Sequence, residues 1–523
     1  MTEFFSGMSL MAVELGASRL LAPYFSSSQI VWTIIIGTIM IALALGNIFG
    51  GRDADKHPDP DRLYRRIIVA AVWIGAIPLF GKYAIILISG LLIFTVNTGF
   101  LVVAAFVACA VVFVFPLFLL GTVTPSLVKY TTDSLEENGR IVGQLGAANT
   151  IGSIIGTFVP TFISIPTVGT SVTFFIFSGI LLAITIVYFV SSKIPLRQVK
   201  RLPIGIAIFV VSCIFGHNAS FAFWENDLTY EGESVYNYLQ VYEGDSKIYL
   251  STNVLFGVQS VYQKDGKLTG MYYDYAMASA YMAGVNEKER SLNALILGMG
   301  TGTFATQCSR YFDNMEFTGV EIDDKITTLA RTYFDLDEDI DVVTYDGRAY
   351  LNASEEKYDI IMVDAYQDIT IPFQMSSAEF FSLVKSHLNE NGVMVVNMNM
   401  RTGDAGSINE ALTDTISSVF GSVYTVDVSS SSNRELFASD NPGFISRMNS
   451  NISSEDDEAL HALMESVSAN LEYREGGDNI LTDDKAPVEL LGMRAIDNII
   501  RDEVAYYKEI YDEQGLSALM GML

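Results

Sequence analysis

Residues 293–307 read NALILGMGTGTFATQ, an apolar run followed by glycines at alternate positions and then by a helix-forming segment. This order predicts a buried strand, a tight turn and the start of a helix. Glycine lets the backbone approach a ligand closely, and the first amides of a helix have no partner inside it. We therefore expect Gly298, Gly300 and Gly302 to form a ligand-binding turn.

Four more segments extend the pattern of strands alternating with helices: MEFTGVEID (315–323), IDVVTYDGRAYL (340–351), YDIIMVDAY (358–366) and GVMVVNMNM (392–400). Such alternation predicts a parallel sheet covered by helices on both faces, here a Rossmann-like α/β domain over residues 276–523. Upstream, residues 230–262 alternate aromatic and polar positions between Gly and Asp turns. That pattern predicts a small antiparallel sheet within residues 223–275.

Acidic side chains follow the predicted parallel strands. Glu321 ends the second strand, Asp346 and Gly347 end the third, and Asp364 ends the fourth. Ligands of such sheets bind outside the carboxyl ends of the strands, and a carboxylate about 20 residues after the glycine turn can accept both ribose hydroxyls. The sequence therefore predicts a nucleoside site, although each acidic residue could instead cap a helix. GMGTGT lacks the Lys-Ser/Thr of a P-loop, and a nicotinamide site remains an alternative.

The first part of the chain, residues 1–222, is predicted to be a helical membrane domain. Its apolar stretches are long enough to cross a bilayer. They lie near residues 5–24, 29–50, 66–92, 99–121, 145–165, 170–191 and 203–222. The third contains Pro78, Gly81 and Lys82, so it is either one kinked span or two short ones. Seven spans is the preferred count, with eight as the alternative.

Charges inside and between these segments bear on topology and packing. Lys and Arg concentrate in alternate loops, which predicts that those loops and the N-terminus are cytoplasmic. Seven spans then place the C-terminal domain outside, whereas eight keep it inside. Glu14 and Arg19 lie within the first apolar run, where a charge marks either a functional site or a packing contact. Gly152 and Gly156 predict close helix packing.

The acidic residues belong almost entirely to the second half. Before about residue 218 there are 13 Lys/Arg and 9 Asp/Glu, whereas the rest of the chain has 19 and 51. A domain with a net charge of −32 repels nucleic acid and is compatible with cationic partners such as polyamines, although acidity that only provides solubility is the commoner explanation. Three scattered cysteines and four isolated histidines predict neither disulfides nor a metal site.

The ordered motifs resemble the spermidine synthase (polyamine aminopropyltransferase) family, whose members carry a GGGDGG-type turn, VEID, DG and a DSSD-type loop. The counterparts here are GMGTGT (298–303), VEID (320–323), DG (346–347) and DAYQ (364–367). FGVQS (256–260) is similar to the family's DGVxQ segment, with Gln259 as the matching glutamine. YYDY (272–275) is similar to its YHEM segment, with Tyr273 in place of the histidine.

The ends of the chain resemble membrane proteins in which a multi-helix domain is fused to a spermidine synthase-like domain. The similar segments are LMAVELGASRLLAPYF (10–25) and ILTDDKAPVELL (480–491). In the second segment, Asp483, Asp484 and Glu489 either reach the edge of the site or form an acidic turn that caps the last helix. The resemblance implies a multi-pass protein of the cell membrane, with the lipid bilayer as a partner, and a soluble domain of the S-adenosylmethionine methyltransferase type.

For the site, the resemblance implies that Glu321 holds the ribose and Asp346 the adenine amino group of decarboxylated S-adenosylmethionine. Asp364 is then the general base for transfer of an aminopropyl group to an amine such as putrescine, without a metal. At two further positions, aspartates of the family are replaced by Thr301 and by Gln367. Asp368, next to Gln367, could substitute for the second aspartate only if the loop register shifted. Gln259, Tyr273, Thr301 and Gln367 are the expected substrate-binding positions.

Two other functions and the oligomeric state stay open at this point. A methyltransferase would use intact S-adenosylmethionine, and the loss of the two aspartates favours it. A transporter or sensor would bind a nucleoside or polyamine without chemistry, a hypothesis that Glu14 and Arg19 motivate. A homodimer is one option for the assembly.

Overall fold

The computed structural model describes residues 1–93, 95–96, 99–132, 137–193, 201–217, 220–225, 227–254, 258–287, 290–365, 371–399, 401 and 405–514. The chain divides into two compact units. Unit 1 comprises Met1–Asn226, Glu231–Tyr238 and Asn253–Leu255, and unit 2 comprises the remainder. The predicted boundary at residue 222 therefore lies close to the main division, but two short later segments belong to unit 1.

Unit 1 consists largely of apolar helices. They are α1 (Thr2–Phe25), α2 (Gln29–Lys56), α3 (Pro60–Leu92), α4 (Phe100–Cys109), α5 (Phe115–Gly121), α6 (Val123–Thr131), α7 (Asn138–Val159), α8 (Ile165–Ser191) and α9 (Arg201–Gly216). Two π-helical segments, Ala110–Val114 and Pro160–Ser164, join α4 to α5 and α7 to α8. Four helical stretches of the described chain are long and apolar enough to cross a membrane: Gln29–Lys56, Pro60–Leu92, Phe100–Thr131 and Asn138–Ser191.

These four stretches only partly match the predicted spans. The third predicted segment is one continuous helix, α3, with Pro78 inside it. Asn138–Ser191 contains two predicted spans, and Gly169 interrupts it with a non-helical backbone (φ 79°, ψ 170°). The first and seventh predicted segments form α1 and α9, which are not among the four. The count of seven spans therefore stays a prediction.

Close packing of α7 against α1 confirms the prediction made from Gly152 and Gly156. A Cβ atom at Gly152 would lie 1.9 Å from the Phe4 carbonyl oxygen, and one at Gly156 would lie 2.0 Å from the Met8 carbonyl oxygen. No side chain fits at such distances, so the two helix backbones touch directly at these glycines.

Arg19 of α1 anchors a later segment of unit 1. Its guanidinium donates hydrogen bonds to the carbonyl oxygens of Ser234, at 3.2 Å, and Val235. In the same segment, the Glu233 carboxylate accepts hydrogen bonds from the Thr170 amide at 2.9 Å and hydroxyl at 2.6 Å. Arg19 thus has a packing contact of the kind that the sequence left open as an alternative, and a transport function stays untested.

The small antiparallel sheet predicted upstream of the parallel strands is confirmed. Its strands are β1 (Leu228–Glu233), β2 (Tyr238–Glu243), β3 (Lys247–Ser251) and β4 (Ser260–Gln263), in the order β1-β2-β3-β4. The middle strand β3 pairs antiparallel with both β2 and β4.

The main sheet of unit 2 contains every predicted parallel strand. Its strands are β5 (Leu292–Leu297), β6 (Met315–Glu321), β7 (Asp341–Thr344), β8 (Tyr358–Val363), β9 (Leu388–Met398), β10 (Ser422–Asp427), β11 (Arg434–Ser439) and β12 (Glu472–Tyr473). Their order is β12-β10-β11-β9-β8-β5-β6-β7. The run from β9 to β7 is parallel, whereas β11 pairs antiparallel with β9 and β10. The sequence analysis did not predict this antiparallel edge.

Helices cover both faces of the main sheet. They are α10 (Tyr272–Ala276), α11 (Ala278–Ala283), α12 (Thr303–Tyr311), α13 (Asp324–Tyr333), α14 (Gly347–Ala353), α15 (Ala378–Ser386), α16 (Ile408–Ser417), α17 (Phe444–Ile452), α18 (Glu458–Ala469) and α19 (Val488–Gln514). Alternate strand residues enter different cores, with Ile296 and Met362 in one and Leu297 and Val363 in the other. Since successive side chains of a strand point to opposite faces, the sheet is buried on both sides.

Candidate active site

The glycine turn after β5 lies directly against the end of β8. Gly298, Gly300 and Gly302 all have positive φ angles, of 82°, 55° and 74°. A Cβ atom at Gly298 would lie 2.6 Å from both the Asp364 carbonyl oxygen and the Ala365 Cα atom. Glycine is therefore required at Gly298 both for its backbone conformation and for the space it leaves. The turn and Asp364 are placed together by this contact.

Glu321, the last residue of β6, lies beside the same turn. One carboxylate oxygen, Oε2, accepts a hydrogen bond from the Gly300 amide at 2.9 Å, and Oε1 accepts one from the Asp323 amide at 3.1 Å. Burial of the side chain raises the pKa of this carboxyl group. Each carboxylate oxygen has a second lone pair, so these contacts still allow Glu321 to accept the hydroxyls of a ribose.

Asp346 follows β7 at the same edge and caps a helix. Its Oδ1 atom accepts a hydrogen bond from the Ala349 amide at 2.8 Å, and Gly347 is the first residue of α14. This is the capping role that the sequence left open beside the nucleoside role. Contact with adenine remains a prediction, to be made by the oxygen that does not cap the helix.

The C-terminal segment 480–491 reaches the same helix. Asp483 forms two hydrogen bonds of 2.7 Å with the Arg348 guanidinium and accepts a third from the Ser377 hydroxyl at 2.5 Å. The Arg348 contact lowers the pKa of Asp483 to about 2. Since Arg348 directly follows the Asp346-Gly347 pair, this segment is attached next to the site edge, and Asp483 has a structural partner there.

Asp364 stands just beyond β8 and is held by two side chains. The Tyr272 hydroxyl donates to Oδ2 at 2.6 Å, and the Asn397 amide nitrogen donates to Oδ1 at 2.9 Å. Removal of the carboxyl group from water raises its pKa to about 7, against the lowering effect of both hydrogen bonds. A carboxylate with a pKa near 7 can accept a proton from a reacting group at neutral pH.

Tyr272 and Asn397 were not among the residues selected from the sequence. The motif YYDY drew attention to Tyr273, but its hydroxyl donates to the Gln259 carbonyl oxygen at 3.0 Å, and it is the neighbouring Tyr272 that contacts the Asp364 carboxylate. Asn397 lies near the carboxyl end of β9, so the strand-end rule that selected Asp364 would have found it too.

The remaining predicted substrate-binding positions are less informative. Thr301 is completely buried, and its hydroxyl lies 3.1 Å from that of Thr303, which donates to the Val261 carbonyl oxygen. The Thr301 hydroxyl thus has its hydrogen-bond partner inside the turn. Gln367 and its neighbour Asp368 lie outside the described residues.

A groove of about 680 Å³ lies at the opposite edge of the sheet, where Asn293, Met315, Asp341 and Tyr358 begin or nearly begin their strands. Across the described part of the chain, no group of three or more His, Cys, Asp or Glu side chains is arranged to hold a metal ion. The candidate site is therefore identified by its chemistry at the carboxyl edge.

Together, the strand order and the carboxyl-edge residues define a Rossmann-like α/β protein with a glycine turn and three acidic side chains at one sheet edge. The Spermine/spermidine synthase domain matches residues 276–428. A probable polyamine aminopropyl transferase of Bifidobacterium longum is 52% identical over 361 residues, which cover 65% of this chain and 78% of that protein. The chain belongs to the spermine/spermidine synthase family.

Two further similarities are more distant. A polyamine aminopropyltransferase of Vibrio vulnificus is 26% identical over 226 residues, covering 42% of this chain and 74% of that protein. The crystal structure of a probable spermidine synthase from Corynebacterium glutamicum has 19% identity and a TM-score of 0.35, and covers 48% of this chain and 96% of that chain.

Proposed function

We propose that this protein transfers the aminopropyl group of decarboxylated S-adenosylmethionine to an amine such as putrescine. The nitrogen of the amine attacks the carbon next to the sulfonium, the carbon–sulfur bond breaks, and methylthioadenosine leaves. Asp364 takes the proton of the attacking amine. The observation that carries the proposal is the Asp364 carboxyl group, which has a pKa of about 7 and is held by Tyr272 and Asn397 beside the glycine turn.

The neighbouring groups are assigned to binding. Glu321 accepts the ribose hydroxyls, Asp346 accepts the adenine amino group, and the backbone of the turn at Gly298, Gly300 and Gly302 approaches the nucleoside. Glu321 is well suited to this role because it is fixed to the turn by its hydrogen bond with Gly300.

The direct test uses the purified full-length protein with decarboxylated S-adenosylmethionine and a panel of amines. We expect methylthioadenosine and an aminopropylated amine to appear in equal amounts by mass spectrometry. Calorimetry with methylthioadenosine supplies the nucleoside-binding control. A protein that binds the nucleoside and releases no methylthioadenosine with any amine would contradict the proposed reaction.

Methyl transfer from S-adenosylmethionine is the second candidate. It is favoured by Thr301, an uncharged residue at a position where the resemblance predicts an aspartate that would repel the methionyl carboxylate. The two reactions are separated by comparing the affinities for intact and decarboxylated S-adenosylmethionine. Tighter binding of the intact form, with methylation of an acceptor, would support the methyltransferase.

We also propose that unit 1 lies in the cell membrane. Large apolar side chains on its long helices are exposed, among them Met40, Leu87 and Val187, at 63%, 64% and 64%. A soluble surface rarely presents so many, whereas lipid solvates them. The protein should therefore remain with membranes after carbonate extraction and be released by detergent, and release by carbonate alone would contradict the proposal.

Tyr272→Phe is expected to shift the pH dependence of the reaction upward. The Tyr272 hydroxyl stabilises the ionised form of Asp364 and so lowers its pKa. Loss of one hydrogen bond to a charged group removes about 1.5–3 kcal/mol, equivalent to roughly 1–2 pK units. Because the base acts when deprotonated, the rise of kcat/KM with pH should move to higher pH by up to that amount.

Tyr275→Phe is the matched control for this prediction. Tyr275 lies on the same short helix, but its hydroxyl is 3.0 Å from that of Ser429. Its replacement should leave the midpoint of the pH profile unchanged. Identical profiles for Tyr272→Phe and the wild type would show that the Tyr272 hydroxyl does not control the base.

A further inference from the structure

The helical unit contains a cavity beside a break in α8. The cavity has a volume of about 360 Å³, and all of the residues that line it belong to unit 1. Gly169, at the break in the helix, is one of them, and Glu231, Glu233 and Tyr238 are others. Small-molecule sites occupy about 300–1,000 Å³, so the cavity has room for an organic ligand and not only for a metal ion.

An acidic side chain stabilises the break in α8. The backbone of Gly169 is non-helical, and the Thr170 amide directly beyond it donates to the Glu233 carboxylate at 2.9 Å. The Thr170 hydroxyl donates to the same carboxylate at 2.6 Å. Interrupted helices form the binding sites of many membrane transporters, because their backbone groups and dipoles face the ligand. The cavity therefore lies at the kind of backbone feature that such sites use.

The lining of the cavity combines negative charge with aromatic rings. Among the described residues, the charged side chains that line it are those of Glu231 and Glu233. Glu231 accepts hydrogen bonds through Oε1, from the Tyr238 hydroxyl at 2.6 Å and the Phe221 amide at 2.7 Å, which leaves Oε2 for a ligand. The rings of Phe221 and Tyr238 pack edge to face, with centroids 5.2 Å apart. Carboxylates beside aromatic rings attract organic ammonium ions through charge and cation–π contact.

The basic side chains near the cavity do not cancel this preference. The Arg19 guanidinium donates to two backbone carbonyl oxygens, and the Lys82 ammonium donates to that of Ser220 at 2.7 Å. Both side chains lie outside the lining of the cavity, whose own charge is negative. A cationic ligand therefore fits the cavity better than an anionic one.

Helix α1 carries two more carboxylates on one face. Glu3 and Glu14 are about three helical turns apart, so they project in nearly the same direction, separated by about 16 Å along the axis. Glu3 is 1% exposed, and its Oε1 accepts hydrogen bonds from the Thr124 hydroxyl at 2.5 Å and the Asn149 amide at 2.8 Å. Its Oε2 is enclosed without a hydrogen-bond partner among the described residues. An ionisable group inside a membrane bundle marks an ion pathway or site by default, and the open oxygen of Glu3 calls for a cation.

Helix α1 extends from Glu3 to the end of unit 1 that holds the cavity. The Tyr24 hydroxyl donates to the Phe221 carbonyl oxygen at 2.8 Å, and Phe221 lines the cavity. From Glu3 to Tyr24 the helix rises about 32 Å, close to the roughly 30 Å of a bilayer's hydrocarbon core. Acidic side chains therefore occur at three levels along α1, at Glu3, at Glu14 and at the cavity.

We propose that unit 1 transports small organic ammonium ions, which bind in the cavity and pass Glu14 and Glu3 along α1. This function is separate from the proposed reaction and does not depend on it. In this structure the Phe174 ring covers α1 between Glu14 and the cavity, since a Cβ atom at Gly16 would lie 2.6 Å from that ring. The ion therefore passes only when the ring moves, as in carriers that open to the two sides of a membrane in turn.

The test measures uptake of radiolabelled tetramethylammonium by phospholipid vesicles that contain the full-length protein. This ion is permanently charged, so it does not cross lipid unaided, and it has no N–H bond, so it cannot be an acceptor in the proposed reaction. We expect saturable uptake with the wild type and a loss of at least about tenfold in Glu14→Gln and in Glu231→Gln, each of which removes one charge. The matched control is Glu225→Gln, an exposed carboxylate of unit 1 outside the cavity, which should transport as the wild type does.

A second pair of variants leaves every carboxylate in place and so guards against misfolding. Thr167 is exposed and lines the cavity, so Thr167→Trp should fill it and abolish uptake. Val168, its neighbour, is 46% exposed and lies outside the lining, so Val168→Trp should keep uptake.

Three results would overturn the proposal. The first is a wild type that keeps its circular dichroism spectrum in the vesicles and takes up no more label than vesicles without protein. The second is equal uptake by Thr167→Trp and Val168→Trp. The third is wild-type uptake by Glu14→Gln, or a loss in Glu225→Gln as large as that in Glu231→Gln. Uptake by a protein that releases no methylthioadenosine would retain the transport function and contradict only the proposed reaction.

Discussion

Asp364→Asn should lower kcat by a factor of about 10²–10⁴, the usual contribution of a positioned general base. Asparagine has nearly the same shape as aspartate but accepts no proton at neutral pH. The attacking amine must then lose its proton to water, which is not held in place. Since the Asp364 side chain is not assigned to nucleoside binding, the affinity for methylthioadenosine should be retained.

The pH dependence of kcat/KM is a second measurement that tests the same variant. In the wild type, kcat/KM should rise as the pH passes through about 7, because the Asp364 carboxyl group loses its proton there. The residual activity of Asp364→Asn should lack this rise. The profile thus distinguishes loss of a base from a general loss of structure.

Asp359→Asn is the matched control, since Asp359 lies near the start of β8, at the opposite end of the strand from Asp364. Its carboxylate accepts hydrogen bonds from the Arg290 guanidinium and the Asn293 amide, both at 3.0 Å. Its replacement should lower the thermal stability and leave kcat of the folded protein unchanged. If Asp364→Asn behaves in the same way, the base is another residue.

The parallel strands and their terminal acidic residues could be predicted because that information is local. An apolar run fixes a buried strand, and its last residues necessarily lie at the carboxyl edge. The positions of Gly298, Glu321 and Asp364 follow from this rule, and the structure brings the three together. Their joint contact required no knowledge of side-chain packing.

The partners of Asp364 depend on which strands are neighbours, and that is not local. Asn397 reaches Asp364 because β9 lies beside β8. The apolar runs in the sequence predict the strands but do not specify their order in the sheet. The number of spans stays a prediction, and apolar composition likewise does not reveal a break such as that at Gly169.

Glu321→Gln should weaken the binding of methylthioadenosine by roughly 10²–10⁴-fold, equivalent to the loss of two charge-assisted hydrogen bonds at about 1.5–3 kcal/mol each. The amide group of glutamine also presents a donor towards the Gly300 or Asp323 amide, both of which donate to the native carboxylate. The turn proposed to approach the nucleoside would therefore be disturbed together with the proposed ribose contact. Calorimetry measures the loss directly.

The control for this variant is Glu316→Gln, an exposed carboxylate on the same strand, which should bind the nucleoside as the wild type does. If Glu321→Gln bound methylthioadenosine with wild-type affinity, Glu321 would not be the residue that holds the ribose. At saturating nucleoside, kcat of Glu321→Gln should be largely restored, because Asp364 and its partners are intact.

The two variants are then separated by the pKa of the base. The Glu321 charge raises the pKa of Asp364, so its removal should move the rise in activity to lower pH. Asp364→Asn should instead abolish that rise. A binding defect with a downward pH shift in Glu321→Gln, and a kcat defect without any titration in Asp364→Asn, would place ribose recognition on β6 and proton transfer after β8, the two strands that flank β5 at one sheet edge.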